Sequence, residues 1–154
     1  MSANIEDSYN FRKVSEQITT SGVVGAQRLG ALASQGYDAV INLLPDSSEH
    51  AVDNEREIVE LQHIEYIHIP VDFTRPQPQD LHRFTETLDR LAGKKMHIHC
   101  AANYRVSAFY AVYAAARGHW SPSQAMDFIR SVWQPADYPA WSGFIAEGLA
   151  GDTA

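Results

Sequence analysis

Cysteine is almost absent: Cys100 is the one thiol among 154 residues, so no disulfide can form within the chain. A chain of this length buries roughly 70% of its unfolded surface and needs no such staple. Long apolar runs are missing too, none approaching the roughly 18 residues of a membrane span. Positive charge is scarce, with 12 Lys and Arg against 19 Asp and Glu, a net charge of -7 and no basic cluster. That balance argues against nucleic acid and against an anionic membrane as partners. The opening Met1-Ser2-Ala3-Asn4-Ile5-Glu6-Asp7 has no positive segment leading into an apolar stretch, so it does not read as a secretory signal. Together with the lone thiol this leads to the expectation of a reducing, cytoplasmic setting. No internal repeat, low-complexity tract or linker divides the chain, and a composition 45% hydrophobic and 20% charged is that of a globular domain. The expectation is one domain over residues 1–154 with its core over about 16–150.

What is present alternates between two patterns. Ile18 to Ser21 reads as a short strand and Gly25 to Gln35 as a helix with Leu29, Leu32 and Ala33 on one face, closed by Gly36. Ala39 to Leu44 is a mostly apolar run of strand length that stops at Pro45-Asp46, as a buried parallel strand does. Asp53 to His63 is helical by spacing, and Tyr66 to Ile69 is a strand ending at Pro70. Phe73 to Pro78 holds two prolines and reads as a loop, behind which Asp80 is placed to cap a helix through Leu91. Lys95 to His99 is the next strand, and Val106 to Arg117 an apolar helix ended by Gly118. Ser121-Pro122 starts a helix reaching about Trp133, and a last helix spans Tyr138 to Leu149. Trp120, Trp133 and Trp141 read as core or interface. This alternation predicts an α/β single-domain sandwich: a central, mainly parallel sheet flanked by helices, with chemistry beyond the carboxyl ends of its strands. Pro45-Asp46, Asp72 and Cys100 all fall at that edge.

The sharpest local feature is His99-Cys100-Ala101-Ala102-Asn103-Tyr104-Arg105-Val106-Ser107, at the switch from strand to helix. A thiol set where backbone N–H groups and a helix N-terminus converge lies in positive potential, which favours the thiolate. The same N–H groups suit an anion. Arg105 adds a guanidinium able to clasp two oxygens of a tetrahedral oxyanion. The competing reading of Cys100 is a buried core thiol, the ordinary fate of a free cysteine. Asp72 lies on the loop after a strand, at the same rim, with a solvated loop carboxylate as its alternative. His97 and His99 share one strand face, as a metal pair can, but no carboxylate at a recognisable spacing completes a site, so no metal and no cofactor are expected.

On these residues the chain resembles the protein tyrosine phosphatase superfamily, in its compact dual-specificity branch and most of all its small bacterial phosphatase-like proteins. The resemblance covers about residues 16–133 and extends to Val40-Ile41-Asn42-Leu43 and Ile69-Pro70-Val71-Asp72. It implies a phosphatase-like fold, a phosphorylated substrate and a cysteinyl-phosphate mechanism. Cys100 would be the nucleophile, Arg105 the phosphate-binding arginine and Asp72 the general acid. Ser107 would ease departure of the thiolate and His99 would orient the loop. Ala101, Ala102, Asn103, Tyr104 and Arg105 would hold the phosphate. The family pattern places five residues between Cys and Arg, whereas this chain has four and lacks the mid-loop glycine. Either the loop is one residue shorter and Arg105 keeps its role, or Arg105 is displaced while Ser107 keeps its distance from Cys100. Asn103 is the residue best suited to the positive φ that a glycine would supply. Four intervening residues also match the active loop of rhodanese-type sulfurtransferases, and a catalytically silent phosphate-binding module is the reading from outside enzymology.

Overall fold

The computed structural model describes residues 3–150; Met1, Ser2 and residues 151–154 of the expected domain lie outside the described residues. Five strands form one sheet: β1 (Arg12–Lys13), β2 (Ile18–Ser21), β3 (Ala39–Asn42), β4 (Glu65–His68) and β5 (Met96–His99), in the spatial order β1-β2-β5-β3-β4. All pairs are parallel except β1 with β2. The sheet is thus the mainly parallel one expected, and its central strand β5 is buried on both faces, as parallel strands covered by helices are. Register carries the functional consequence. Ser21 and Asn42 both stand opposite His99, and Asn42 opposite His68, so four strand ends form one row immediately before Cys100.

Among the described residues six α-helices cover the sheet: α1 (Ala26–Leu29), α2 (Glu55–Glu60), α3 (Pro78–Arg90), α4 (Tyr104–Ala116), α5 (Pro122–Val132) and α6 (Pro139–Leu149). One layer buries Ile41, Leu43, Ile98 and Cys100 with Phe84, Phe109, Ile129 and Trp141. The other packs Val40 and Tyr66 with Leu29, Leu32, Val59 and Ile5. Helix α4 is the pillar, with nine consecutive residues from Val106 to Ala114 buried; a helix apolar all round belongs inside. Helix α5 starts as expected, the Ser121 hydroxyl accepting from Gln124 N at 3.1 Å while the Gln124 side chain accepts from Ser121 N, a capping box.

Three local expectations fail. The helix expected over Gly25 to Gln35 is only one turn of α-helix followed by a 3-10 turn at Ala33–Gln35. Gln62 captures it from outside, its amide donating to Leu29 O and accepting from Ala33 N. Helix α3 begins at Pro78 rather than behind Asp80, with Gln77 as N-cap. Proline is well suited to the first helical position, which places Asp80 within the first turn. The two-residue β1 was not expected at all.

Candidate active site

Cys100 follows the last residue of β5 and is fully buried. Its backbone N–H donates to Ser21 O at 3.3 Å, continuing the parallel ladder one residue beyond the strand. From there the chain must turn into α4, and it does so in three residues. The Ala101 carbonyl accepts from Val23 N at 2.9 Å and the Asn103 carbonyl from Ser107 N at 2.9 Å. Within a trans peptide the C=O and N–H point in opposite directions, so the Ala102 N–H turns away from Val23. At the end of the turn α4 presents the N–H groups of Tyr104, Arg105 and Val106, which have no intrahelical acceptor. This is a backbone cradle of the kind that holds anions.

Asn103 is the N-cap of α4 with φ of 69°, the left-handed conformation expected of it. Asn adopts that region more readily than other non-glycine residues. The side chain is buried, with Nδ2 donating to Asn10 O at 2.9 Å and to Thr20 Oγ1 at 3.0 Å. Asn10 answers from the other side, its Nδ2 donating to Ala102 O at 3.0 Å. Residues ahead of β2 therefore help to shape the loop. Gly22 is pressed against it so closely that a Cβ would lie 2.5 Å from Ala101 O, leaving room for glycine alone.

Arg105 lies in the first turn of α4. Its Nε donates to Val71 O at 2.9 Å and its guanidinium lies over the Phe73 ring, 5.1 Å from the centroid. Among the described residues neither Nη group has a protein acceptor, so one edge is pinned and the other two nitrogens are left to a ligand. Asp72 sits between those two contacts and is exposed. Its Oδ1 accepts from Thr74 Oγ1 at 2.7 Å and from Thr74 N at 2.9 Å. These bonds, with Arg75 and Arg105 nearby, hold the Asp72 carboxyl below the usual aspartate range. The segment is fixed from below by aromatic packing. Trp141 Nε1 donates to Phe73 O at 2.6 Å, and Tyr104 stacks on Trp133 at 4.6 Å and 9°. Trp133 and Trp141 are buried, as expected of core residues.

Ser107 is also buried, but its hydroxyl donates to Tyr104 O at 3.0 Å and accepts from Trp133 Nε1 at 3.1 Å. Among the described residues no hydrogen bond joins it to Cys100, so its visible task is to tie the first turn of α4 to α5. The His99 Nε2 contacts Glu55 Oε2 at 2.6 Å, both side chains buried, and among the described residues its Nδ1 has no hydrogen-bond partner. Glu55 was missed in the sequence because an acid in a helical heptad reads as solvated. Its one signal is that it opens α2 just beyond the carboxyl end of β3. Tyr66 lies beside it; burial and the Glu55 carboxylate push its hydroxyl well above the usual tyrosine range.

His97 uses both ring nitrogens elsewhere. Ser21 Oγ donates to Gly22 O, so it accepts from His97 Nε2 at 2.8 Å, which leaves Nδ1 to accept from Thr19 Oγ1 at 2.8 Å. Burial pushes the His97 imidazole well below its ordinary range, in keeping with a neutral ring. The imidazole pair read in the sequence thus shares a strand face, but each ring serves a different polar network.

A DUF442 candidate phosphatase of Shewanella putrefaciens superimposes with a TM-score of 0.84 at 33% identity, over 93% of this chain and 90% of that one. The chain belongs to the protein tyrosine phosphatase superfamily. Two more distant members share the fold. Tk-PTP has a TM-score of 0.74 at 20% identity over 94% and 98% of the two chains. TpbA of P. aeruginosa, in a complex with phosphotyrosine, gives 0.72 at 16% over 100% and 94%. No family model matches the sequence, and no curated protein does. No helix among the described residues of this superfamily member is long and apolar enough to cross a membrane.

Proposed function

We propose that the protein hydrolyses phosphomonoesters through a cysteinyl-phosphate intermediate. The observation that supports this most is the free edge of Arg105. It is pinned through Nε to the segment that bears Asp72, its two Nη groups have no acceptor among the described residues, and it adjoins a helix N-terminus that follows Cys100. In this reading the Cys100 thiolate attacks phosphorus, forming an S–P bond as the P–O bond to the leaving group breaks. Arg105 and the N–H groups of residues 101–105 take up the negative charge that builds on the non-bridging oxygens. Asp72 gives its proton to the departing oxygen. The resulting carboxylate then accepts a proton from the water that attacks phosphorus, which releases inorganic phosphate and restores the thiolate. In this reading Ser107 steadies the first turn of α4 through Tyr104 O and Trp133 Nε1, and His99 steadies the strand end before the loop through Glu55. Charge stabilisation comes from the chain itself, and the chemistry calls for no cofactor.

The test is turnover of an aryl phosphate by the wild type and Cys100→Ser. The mechanism requires Cys100→Ser to fall to background while the wild type forms a trappable phosphoprotein on Cys100. Equal background in both, with phosphate still bound, would mean a silent phosphate-binding module. Transfer of sulfur from thiosulfate to cyanide, without phosphatase turnover, would replace the proposal by the sulfurtransferase reading.

A further inference from the structure

We infer that Asn10 is a positioning residue for the anion loop, holding the Ala102 carbonyl outward so that it does not face a bound phosphate. The inference rests on the phosphatase reading above. A carbonyl oxygen facing an oxyanion opposes binding as directly as an N–H supports it, so a four-residue loop must dispose of every carbonyl on its outer side. For Ala101 and Asn103 backbone N–H groups do this, Val23 N from the segment after β2 and Ser107 N from within α4. For Ala102 the partner is a side chain, Asn10 Nδ2 at 3.0 Å, from a residue 92 positions earlier.

The local chain is built to keep that side chain there. Asn10 has φ of 52°, a conformation Asn tolerates, and this brings both its carbonyl and its amide against the loop. The carbonyl accepts from Asn103 Nδ2 at 2.9 Å, so the two asparagine side chains form a clasp that ties residue 10 to residues 102 and 103. Gly22 N donates to Tyr9 O at 2.7 Å and locks the preceding residue to the same edge. The missing Cβ of Gly22 lets all three stretches meet. The clasp therefore braces a loop with only four residues between Cys100 and Arg105.

The test measures inorganic phosphate binding by the full chain, from the rise of the thermal midpoint across a phosphate titration at constant ionic strength. Arg105→Ala assigns the signal to the loop by abolishing it. Asn10→Gly accepts the positive φ and removes only the side chain; Asn10→Asp keeps the size but turns the donor into an acceptor. Both should weaken phosphate binding, Asn10→Gly by about 5-fold, as expected for one hydrogen bond, and Asn10→Asp by more. Urea midpoints measured without phosphate separate folding from binding. Variants that lose stability yet bind phosphate like the wild type would overturn the inference and leave the phosphatase reading intact. Should Asn10→Gly fail to fold, Asn10→Asp alone decides between these outcomes. A wild type whose midpoint ignores phosphate would instead remove the phosphatase reading, and the role of Asn10 with it.

Discussion

Glu55 and His99 offer the clearest energetic test of how the site is braced. The contact is 2.6 Å, with side chains 5% and 3% exposed. Removing Glu55 alone leaves His99 Nε2 buried without an acceptor beside an Nδ1 that already lacks a partner. Removing His99 alone leaves a buried carboxyl facing the Tyr66 hydroxyl and little else. Each single loss should cost about 3 to 5 kcal/mol, since what remains is a desolvated group without its partner. Losing both removes the uncompensated group as well, so the double variant should cost less than the sum by about 2 kcal/mol or more. The perturbation is the cycle Glu55→Ala, His99→Ala and both together, read by urea unfolding with constant m. An internal comparison lies on the same helix: Arg56 and Glu60 approach to 3.3 Å but are 55% and 50% exposed. Their coupling should be at most about 0.5 kcal/mol. A Glu55–His99 coupling as small as that would refute the reasoning, because it would mean that water reaches the pair and that burial in the structure does not govern its energy.

Asn103→Ala should destabilise by about 3 kcal/mol and Asn103→Gly by about 2, since both lose two hydrogen bonds but only alanine is strained at positive φ; equal urea midpoints would deny the strain. Thr74→Val should move the alkaline limb of the kcat/KM profile upward: Asp72 must be protonated to act as an acid, and the Thr74 hydroxyl bond, the larger of the two that favour its ionised form, would be lost while the bond from Thr74 N remains. An unmoved limb would take Asp72 out of the acid role. Phosphate should slow iodoacetamide labelling of Cys100 in the native protein, whereas labelling that requires denaturant would make the thiol a core residue only. Trp141→Phe should lower turnover more than it lowers phosphate binding, because the lost bond to Phe73 O holds the Asp72 segment and not the loop; equal losses would point to general loosening.

Much of this architecture could be read from patterns of period and punctuation. The apolar run stopping at Pro45 and the strand read from Lys95 to His99 announced a parallel sheet because buried strands leave nothing else for such runs to be. The Ser121-Pro122 start was legible because capping chemistry is local. Asn103 was legible for the same reason, since positive φ selects few residue types. What escaped was non-local. The Gly25 to Gln35 helix was broken by Gln62, whose capture of Leu29 O and Ala33 N no local propensity reports. Glu55 looked like an ordinary helical acid until β5 brought His99 under it. Asp80 fits a cap by type, yet Pro78 starts the helix earlier; burial then raises the Asp80 carboxyl above its usual range. The bonds of the Ser107 hydroxyl to Tyr104 O and Trp133 Nε1 were likewise beyond what local pattern reports.

The clasp between Asn10 and the loop has a consequence in time. Its two bonds close over 92 and 93 residues, among the longest-range links in the fold, and contacts of that kind form late because chain closure must precede them. At about 5 to 20 residues per second of synthesis, residues 9 and 10 wait several seconds for residue 103 to exist. The sheet and α4 can be complete while the loop is still unshaped. The reverse order applies to opening: the short edge strand β1 and the turn before it can detach without disturbing the core. Amide hydrogens of residues 9–13 should therefore exchange together, faster than those of β5, and phosphate should slow them although none of them touches it.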